Sequence, residues 1–392
     1  VAVSEPLFER VQNAFKLKPV TDKFYEDYKD YFSKIKEYIR SLGINIRDSK
    51  RYSHLFLNRL MFIYFIQKKK WIGDNKEFIK WFLEAYRTFG EKDRLHEKWL
   101  NNLFFNAMNK PPREKKFTAG FPEKVCKALN GIPYLNGGLF EKDNVDKLGI
   151  ELPDYLVMAV IDDFLENYNF TITEESPFDV DIAVDPAMLG KIYESLIAEE
   201  ERGKAGIFYT PRIEVDLMCR LALYEYFLQQ RTEKSRTLKD SIVNRLLGKV
   251  IDFLFIPLEE WKTEYAIEFR DLRKVIEKVK IVDPACGSGA FLVGMLNVIQ
   301  ELYLKMDVEV DYDLKEKIIN NNLYGVDIKD WAVRMAEFRL WLALVESEDE
   351  VPEVEPVLPH FSFKLRVGDS IVQKIGDDYI RLEKIQGELE KD

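Results

Sequence analysis

A chain of 392 residues is long enough for two or three domains, and its 46% hydrophobic and 13% aromatic content excludes an intrinsically disordered protein. Its formal charge of −10 excludes a molecule that grips nucleic acid over its whole surface, because such a surface carries a basic excess. Three scattered cysteines (Cys126, Cys219, Cys286) and three histidines (His54, His96, His360) have no metal-ligand spacing, so a zinc module is excluded as well.

From Asp22 to Asn106 the apolar residues fall at helical steps: Phe24, Tyr28, Tyr31, Phe32 and Ile35, then Phe78, Phe82 and Tyr86. Stripes of this kind predict core helices and carry no chemistry. The longest apolar run, Leu60 to Ile66, is closed by Lys68, Lys69 and Lys70. It falls short of the ~18 residues that a membrane span needs and predicts a core helix. No signal peptide opens the chain, and a reducing cytoplasm is the expected compartment. The chain starts at Val1 and ends in the charged stretch Leu382–Asp392, so it reads as a piece of something larger.

Basic residues punctuate the helical region at Lys68–Lys70 and at Lys110–Lys116 (KPPREKK). Each is either a solvated loop or a contact to DNA phosphates. Ile132–Phe140 (IPYLNGGLF) follows, with adjacent glycines that predict a tight loop where backbone passes close to something, most simply a loop packed on the next domain. A helix is expected over Pro186–Glu200. A second helix is expected to start at Pro211, after Phe208, Tyr209 and Thr210, with proline at its first position.

The pattern changes at Val279. A short apolar strand, Val279–Asp283, precedes a Gly-rich turn and the predicted helix Ala290–Tyr303. The helix Leu314–Asn320, the strand Leu323–Val326, the helix Trp331–Val345 and the strand Lys364–Val367 follow. Alternation of this kind predicts a parallel, doubly wound sheet.

The chemistry is expected at the carboxyl ends of these strands, where open α/β sheets bind ligands. Asp283-Pro284-Ala285-Cys286-Gly287-Ser288-Gly289 ends the first strand. Gly287 and Gly289 let backbone approach a ligand, and the helix that follows offers unpaired N–H groups. No Gly-Lys-Ser/Thr follows, so this is not a phosphate loop. Leu292 stands where the dinucleotide fingerprint has its third glycine. An acidic residue opening the turn suits a cofactor with a cationic amino group and a sulfonium, which is S-adenosylmethionine. A plain strand–turn–helix is the alternative that Gly-x-Gly alone does not displace. Asp327, closing Tyr324-Gly325-Val326-Asp327-Ile328, points out of its strand end, placed to accept both hydroxyls of a ribose. Asp369, in Val367-Gly368-Asp369, is placed to accept from an adenine amino group. Three carboxylates at successive strand ends exceed what helix caps and turns require.

Asp283–Phe291 resembles motif I of the N6-adenine DNA methyltransferases, and Phe208–Pro211 resembles their motif X. Asp327 matches the motif II acid and Asp369 the motif III acid, in the order of the gamma arrangement. Tyr134–Glu141 and Leu189–Ser195 (LGKIYES) further resemble the fused restriction–modification enzymes called type IIG.

The resemblance implies an α/β Rossmann-like S-adenosylmethionine-dependent methyltransferase core preceded by an all-α domain. Residues 1–180 would form a helical connector and residues 181–392 the N-terminal part of the methyltransferase domain. Phe208, Thr210, Asp283, Ala285 and Gly287 would contact the methionine end of S-adenosylmethionine, and Gly289 would also be a cofactor-binding residue. Asp327 would hold the ribose, Asp369 the adenine amino group, and Ile328 would pack on the adenine face. Double-stranded DNA with a flipped adenine is the implied substrate, with a nuclease upstream and a recognition domain downstream in the parent chain. A methyltransferase without a fused nuclease remains open. One departure stands out: the family's catalytic Asn/Asp-Pro-Pro-Tyr/Phe does not follow Asp369, and Asn109-Lys110-Pro111-Pro112 is a false echo upstream of motif I. Within these residues, methyl transfer is not expected.

Overall fold

In this computed structural model, the residues described are 20–118, 120–135, 138–171, 184–190, 192, 210–229, 249–262, 266–361, 364–370, 374, 375, 378 and 379. The chain divides into a helical unit (1–206 with 341–360) and an α/β unit (207–340 with 361–392).

In the helical unit, α1 (Val20–Ser41) buries the stripe Phe24, Tyr28, Tyr31, Phe32, Ile35 and Ile39. Helix α2 (Ile46–Gln67) starts on Asn45, whose side chain accepts from the Asp48 N–H at 2.9 Å. Every residue from Leu55 to Gln67 is buried, so α2 runs through the middle of the unit. The run Leu60–Ile66 is thus the core helix that its composition predicts. Helix α3 (Phe78–Phe89) presents Phe82 and Tyr86 to the indole of Trp99, with ring centroids 5.1 and 5.3 Å away. Full burial of each such ring contributes about 1.5–3 kcal/mol. Two π-helical runs, Leu95–Leu100 and Leu103–Ala107, follow, then α4 (Glu123–Gly131) and α5 (Asp154–Met158).

Tyr134–Glu141 acquires its meaning here. Tyr134 O and Leu135 O accept from the N–H groups of Val357 and Leu358 at 2.9 and 3.0 Å. The segment 341–360, which lies in sequence between the last two strands of the sheet, therefore folds with the helical unit. The Lys69 ammonium donates to Glu346 O, and the Trp71 indole N–H donates to Asp349 O at 3.3 Å. The basic loop Lys68–Lys70 thus spends one of its cations on this segment.

The α/β unit holds three parallel strands in the order β1 (Ile281–Asp283), β2 (Leu323–Asp327), β3 (Leu365–Val367). Parallel neighbours need crossover connections. Helices α7 (Ala290–Lys305) and α8 (Tyr312–Asn322) carry the chain from β1 to β2. Helix α9 (Asp330–Val345) lies between β2 and β3 in sequence. Helix α8 starts two residues before the predicted Leu314 because Asp311 caps it, accepting from the Leu314 N–H at 2.8 Å. A bond of this kind stabilises a helix by about 1 kcal/mol. Helix α6 (Arg212–Gln229), which begins one residue after Pro211, packs on α7, with Gly294 leaving room for Val215. Arg220, Glu301 and Lys305 tie the same pair together, and the buried Lys305 ammonium also donates to Phe253 O at 2.9 Å. A two-residue antiparallel pair, β4 (Lys374–Ile375) and β5 (Asp378–Tyr379), completes the described strands.

Of the predicted helix Pro186–Glu200, residues 186–190 and 192 are helical and the rest lies outside the described residues. No described helix is long and apolar enough to cross a membrane.

Candidate cofactor site

The three strand ends converge through backbone bonds. The Cys286 N–H donates to Val326 O at 2.9 Å, drawing the turn after β1 against β2. The Gly368 N–H donates to Asp327 O at 2.8 Å, so the loop after β3 closes on the same strand end.

Glycine is required at three points in this arrangement. Gly287 and Gly289 adopt φ of 52° and 84°, where side chains with a Cβ are strained. A Cβ on Gly289 would stand 2.8 Å from the Cβ of Ala336 on α9. A Cβ on Gly325 would meet Leu365, Leu292 and Cys286 at 2.8–3.0 Å. Gly289→Ala is expected to destabilise the α/β unit by about 1–3 kcal/mol, from overpacking and the left-handed backbone together. Thermal melts check this, and an unchanged midpoint would show that α9 retreats without cost.

Asp327 has a part in the turn that the sequence reading did not give it. Its Oδ2 accepts from the Gly287 N–H at 2.9 Å and its Oδ1 from the Lys329 N–H at 2.8 Å. It therefore fastens the Gly-rich turn to the end of β2. Each oxygen keeps a lone pair for one further donor.

Asp283 is the electrostatic centre of the site. Its Oδ1 accepts from the Ala285 N–H at 3.2 Å, while Oδ2 is buried with no hydrogen-bond partner. Burial raises its pKa above the usual carboxylate range, the Ala285 N–H opposes the rise, and the Asp327 charge adds to it. Cys286, inside the same turn, is buried, and its thiol is pushed up to about 12 by burial and by both aspartates. A thiol held neutral in this way is not a nucleophile.

The structure thus brings Asp283, Ala285, Gly287 and Gly289 together around one turn, with Asp327 of β2 hydrogen-bonded to it. Ile328 is 62% exposed beside it, and Asp369 is exposed one residue beyond Gly368. Thr210 is half-buried just ahead of α6, and Phe208 lies outside the described residues. Two residues on α9 escaped the sequence reading. Arg339 donates from Nη1 to Ser288 O at 3.1 Å and so braces the turn from behind. The Glu337 carboxyl is pushed up to about 7 by burial, against the pull of Arg334. Their only signal was charge within an otherwise apolar helix.

The candidate site is thus a strand–glycine turn–helix with an acid at or just beyond each of three strand ends. Residues 259–372 match the family model described as the MmeI DNA-methyltransferase domain. The chain is 31% identical over 353 residues to a protein of Methanocaldococcus jannaschii named as a type II restriction enzyme and methyltransferase, a match that covers 86% of this chain and 28% of that protein. It is 36% identical over 73 residues to the adenine-specific methyltransferase BrxX of Escherichia coli O9:H4, covering 19% of this chain and 6% of that one. Among solved structures it resembles the type IIL restriction–modification enzyme MmeI, determined in complex with DNA. That likeness has a TM-score of 0.50 at 16% identity, over 81% of this chain and 36% of the other, and concerns the fold alone. The resemblance to the DNA methyltransferases of restriction–modification systems is borne out over the residues that carry motif I. The chain spans less than a third of the length of the archaeal relative.

Proposed function

We propose that the α/β unit binds S-adenosylmethionine and that the chain is the cofactor-binding part of a DNA adenine-N6 methyltransferase in a fused restriction–modification enzyme. The observation that carries this reading is the buried, unpartnered Oδ2 of Asp283. An isolated carboxylate oxygen out of water is unfavourable unless a donor meets it. A cationic amino group is the ligand chemistry that meets it best. The methionine end is proposed to lie beside Ala285, Gly287 and Gly289, with Thr210 and Phe208 as further contacts. Asp327 uses its remaining lone pairs on the ribose hydroxyls. Asp369 accepts from the adenine amino group, and the exposed Ile328 covers the adenine face.

The bound cofactor supplies an electrophilic methyl group on sulfur. What the described residues do is bind and orient it. Double-stranded DNA carrying a flipped adenine is the proposed substrate, and the helical unit the proposed connector to a nuclease. No Asn-Pro-Pro-Tyr follows Asp369 in residues 1–392, so the amino group to be methylated has no clamp here and transfer is not expected from these residues.

Calorimetry with S-adenosylmethionine or its demethylated product is expected to give a Kd between micromolar and millimolar, roughly 4–8 kcal/mol. Absence of heat and of any thermal shift at millimolar cofactor would overturn the reading. Tritium transfer from labelled cofactor to duplex DNA by these residues alone would show that the catalytic groups lie elsewhere in the chain.

A further inference from the structure

The basic loop Lys110–Lys116 divides in the structure. Lys115 is 8% exposed, its ammonium donates to Ile132 O, and burial pulls its pKa down to about 8. It is unavailable to a ligand. Lys110 lines a groove of about 690 Å³ in the helical unit, together with Lys142, Asn101, Asn109, Tyr52 and Phe105.

Three carboxylates border this groove, and two of them are neutralised by arginines, so its two lysines face one uncompensated carboxylate, Glu141, whose neighbour His360 carries a charge only if protonated. Asp146 is held by Arg59 at 2.8 Å, Glu141 faces Nε2 of His360 at 3.5 Å, and Glu97 is paired with Arg94. Lys110 and Lys142 have no carboxylate partner among the described residues, and Lys142 Nζ stands 5.3 Å from the centroid of the Phe105 ring. The side-chain amides of Asn101 and Asn109 make no hydrogen bond among the described residues. Two unmatched ammonium groups beside two unengaged amides form a donor set that suits phosphate oxygens. One wall is built on the π-helical runs Leu95–Leu100 and Leu103–Ala107, a geometry rare in helices and concentrated at functional sites.

We propose that this groove seats the phosphodiester backbone of duplex DNA. The donor set belongs to the groove itself, while the choice of DNA among polyanions rests on the function proposed above. Neutralising phosphates releases counterions, so the affinity falls steeply with salt, by about 0.9 logarithmic units per contact for each decade.

The test is fluorescence anisotropy of a labelled duplex with the full chain across a salt series. The double variant Lys110→Gln/Lys142→Gln is compared with the parent and with Lys92→Gln, an exposed lysine that does not line the groove. The double variant is expected to bind roughly tenfold or more weaker at low salt, with a salt slope shallower by about 1.8. Lys92→Gln is expected to follow the parent. Asn109→Asp, which sets a negative charge in the groove, is expected to weaken binding in the same direction. No duplex binding by the parent at the lowest salt, or equal binding by the double variant, overturns the proposal. Inorganic polyphosphate forms a second arm, and binding of polyphosphate without duplex DNA overturns the choice of partner. Calorimetry with S-adenosylmethionine on the same samples separates the two readings: lost cofactor binding with intact groove-dependent DNA binding strikes the proposed function alone.

Discussion

Replacing Arg59 by alanine is expected to cost the helical unit about 3–5 kcal/mol, a large share of the roughly 5–15 kcal/mol by which a domain is ordinarily stable. Arg59 is 2% exposed in the middle of α2. Its Nη1 and Nη2 donate to the two carboxylate oxygens of Asp146, both at 2.8 Å. Nε donates to Leu139 O at 2.9 Å and Nη2 to Glu141 O at 3.0 Å, so one guanidinium fixes the end of Tyr134–Glu141. The Phe105 ring centroid lies 4.7 Å from its central carbon. Alanine leaves the buried Asp146 charge uncompensated and removes the side-chain donor from two carbonyls, each a cost beyond the lost contact. Lysine does not rescue, because a point charge cannot span a carboxylate and two carbonyls at once. The double variant Arg59→Met/Asp146→Leu is expected to recover much of the loss, since the desolvated charge disappears with its partner. Urea and thermal melts of the three variants check this. A loss below 1 kcal/mol for Arg59→Ala would mean that water reaches Asp146 freely.

That clamp was invisible in the sequence, and the reason is general to this chain. Local signals were read well: the strand ends at Asp283 and Asp327, the helix starting at Ala290 and the core run Leu60–Ile66 depend on periodicity and turn chemistry within a few residues. Interactions across long sequence separations left no such trace. The pairing of Tyr134 and Leu135 with Val357 and Leu358, the burial of Lys115 and the reach of Arg59 to Asp146 each join segments distant in the chain. The π-helical runs were equally hidden, because segments of six and five residues are too short for an i→i+5 bonding pattern to leave a period of its own in the sequence. At the site, residue identities were legible and their division of labour was not. Asp327 reads as a ligand for ribose, yet two of its lone pairs hold backbone N–H groups, so its loss would disturb the turn as well as the cofactor. Asp283 carries the reverse character, with one oxygen on the Ala285 N–H and the other on nothing.

That asymmetry predicts opposite effects of Asp283→Asn on stability and on binding. The folded pKa of Asp283 is raised, chiefly by burial. The protonated form is therefore favoured in the fold, and this contribution to stability is complete below the unfolded carboxylate pKa near 3.9. It is lost as pH rises through the folded value, so at neutral pH the ionised side chain weighs against folding. Asparagine is nearly isosteric, carries no charge to desolvate, and keeps an oxygen to accept from the Ala285 N–H. Its melting temperature at pH 7 is expected to equal or exceed that of the parent, with the difference vanishing in acid. Cofactor binding is expected to move the other way. A charge-assisted hydrogen bond to an ammonium group contributes about 1.5–3 kcal/mol, so affinity for S-adenosylmethionine falls by roughly ten- to 150-fold. The parent's own affinity is expected to weaken on acidification as Asp283 takes up its proton, while that of Asp283→Asn stays flat over the same range. Calorimetry at several pH values on both proteins measures this. An Asp283→Asn protein that binds cofactor as tightly as the parent would place the amino group elsewhere and leave the buried Oδ2 as an unfavourable feature of the turn with no ligand to relieve it.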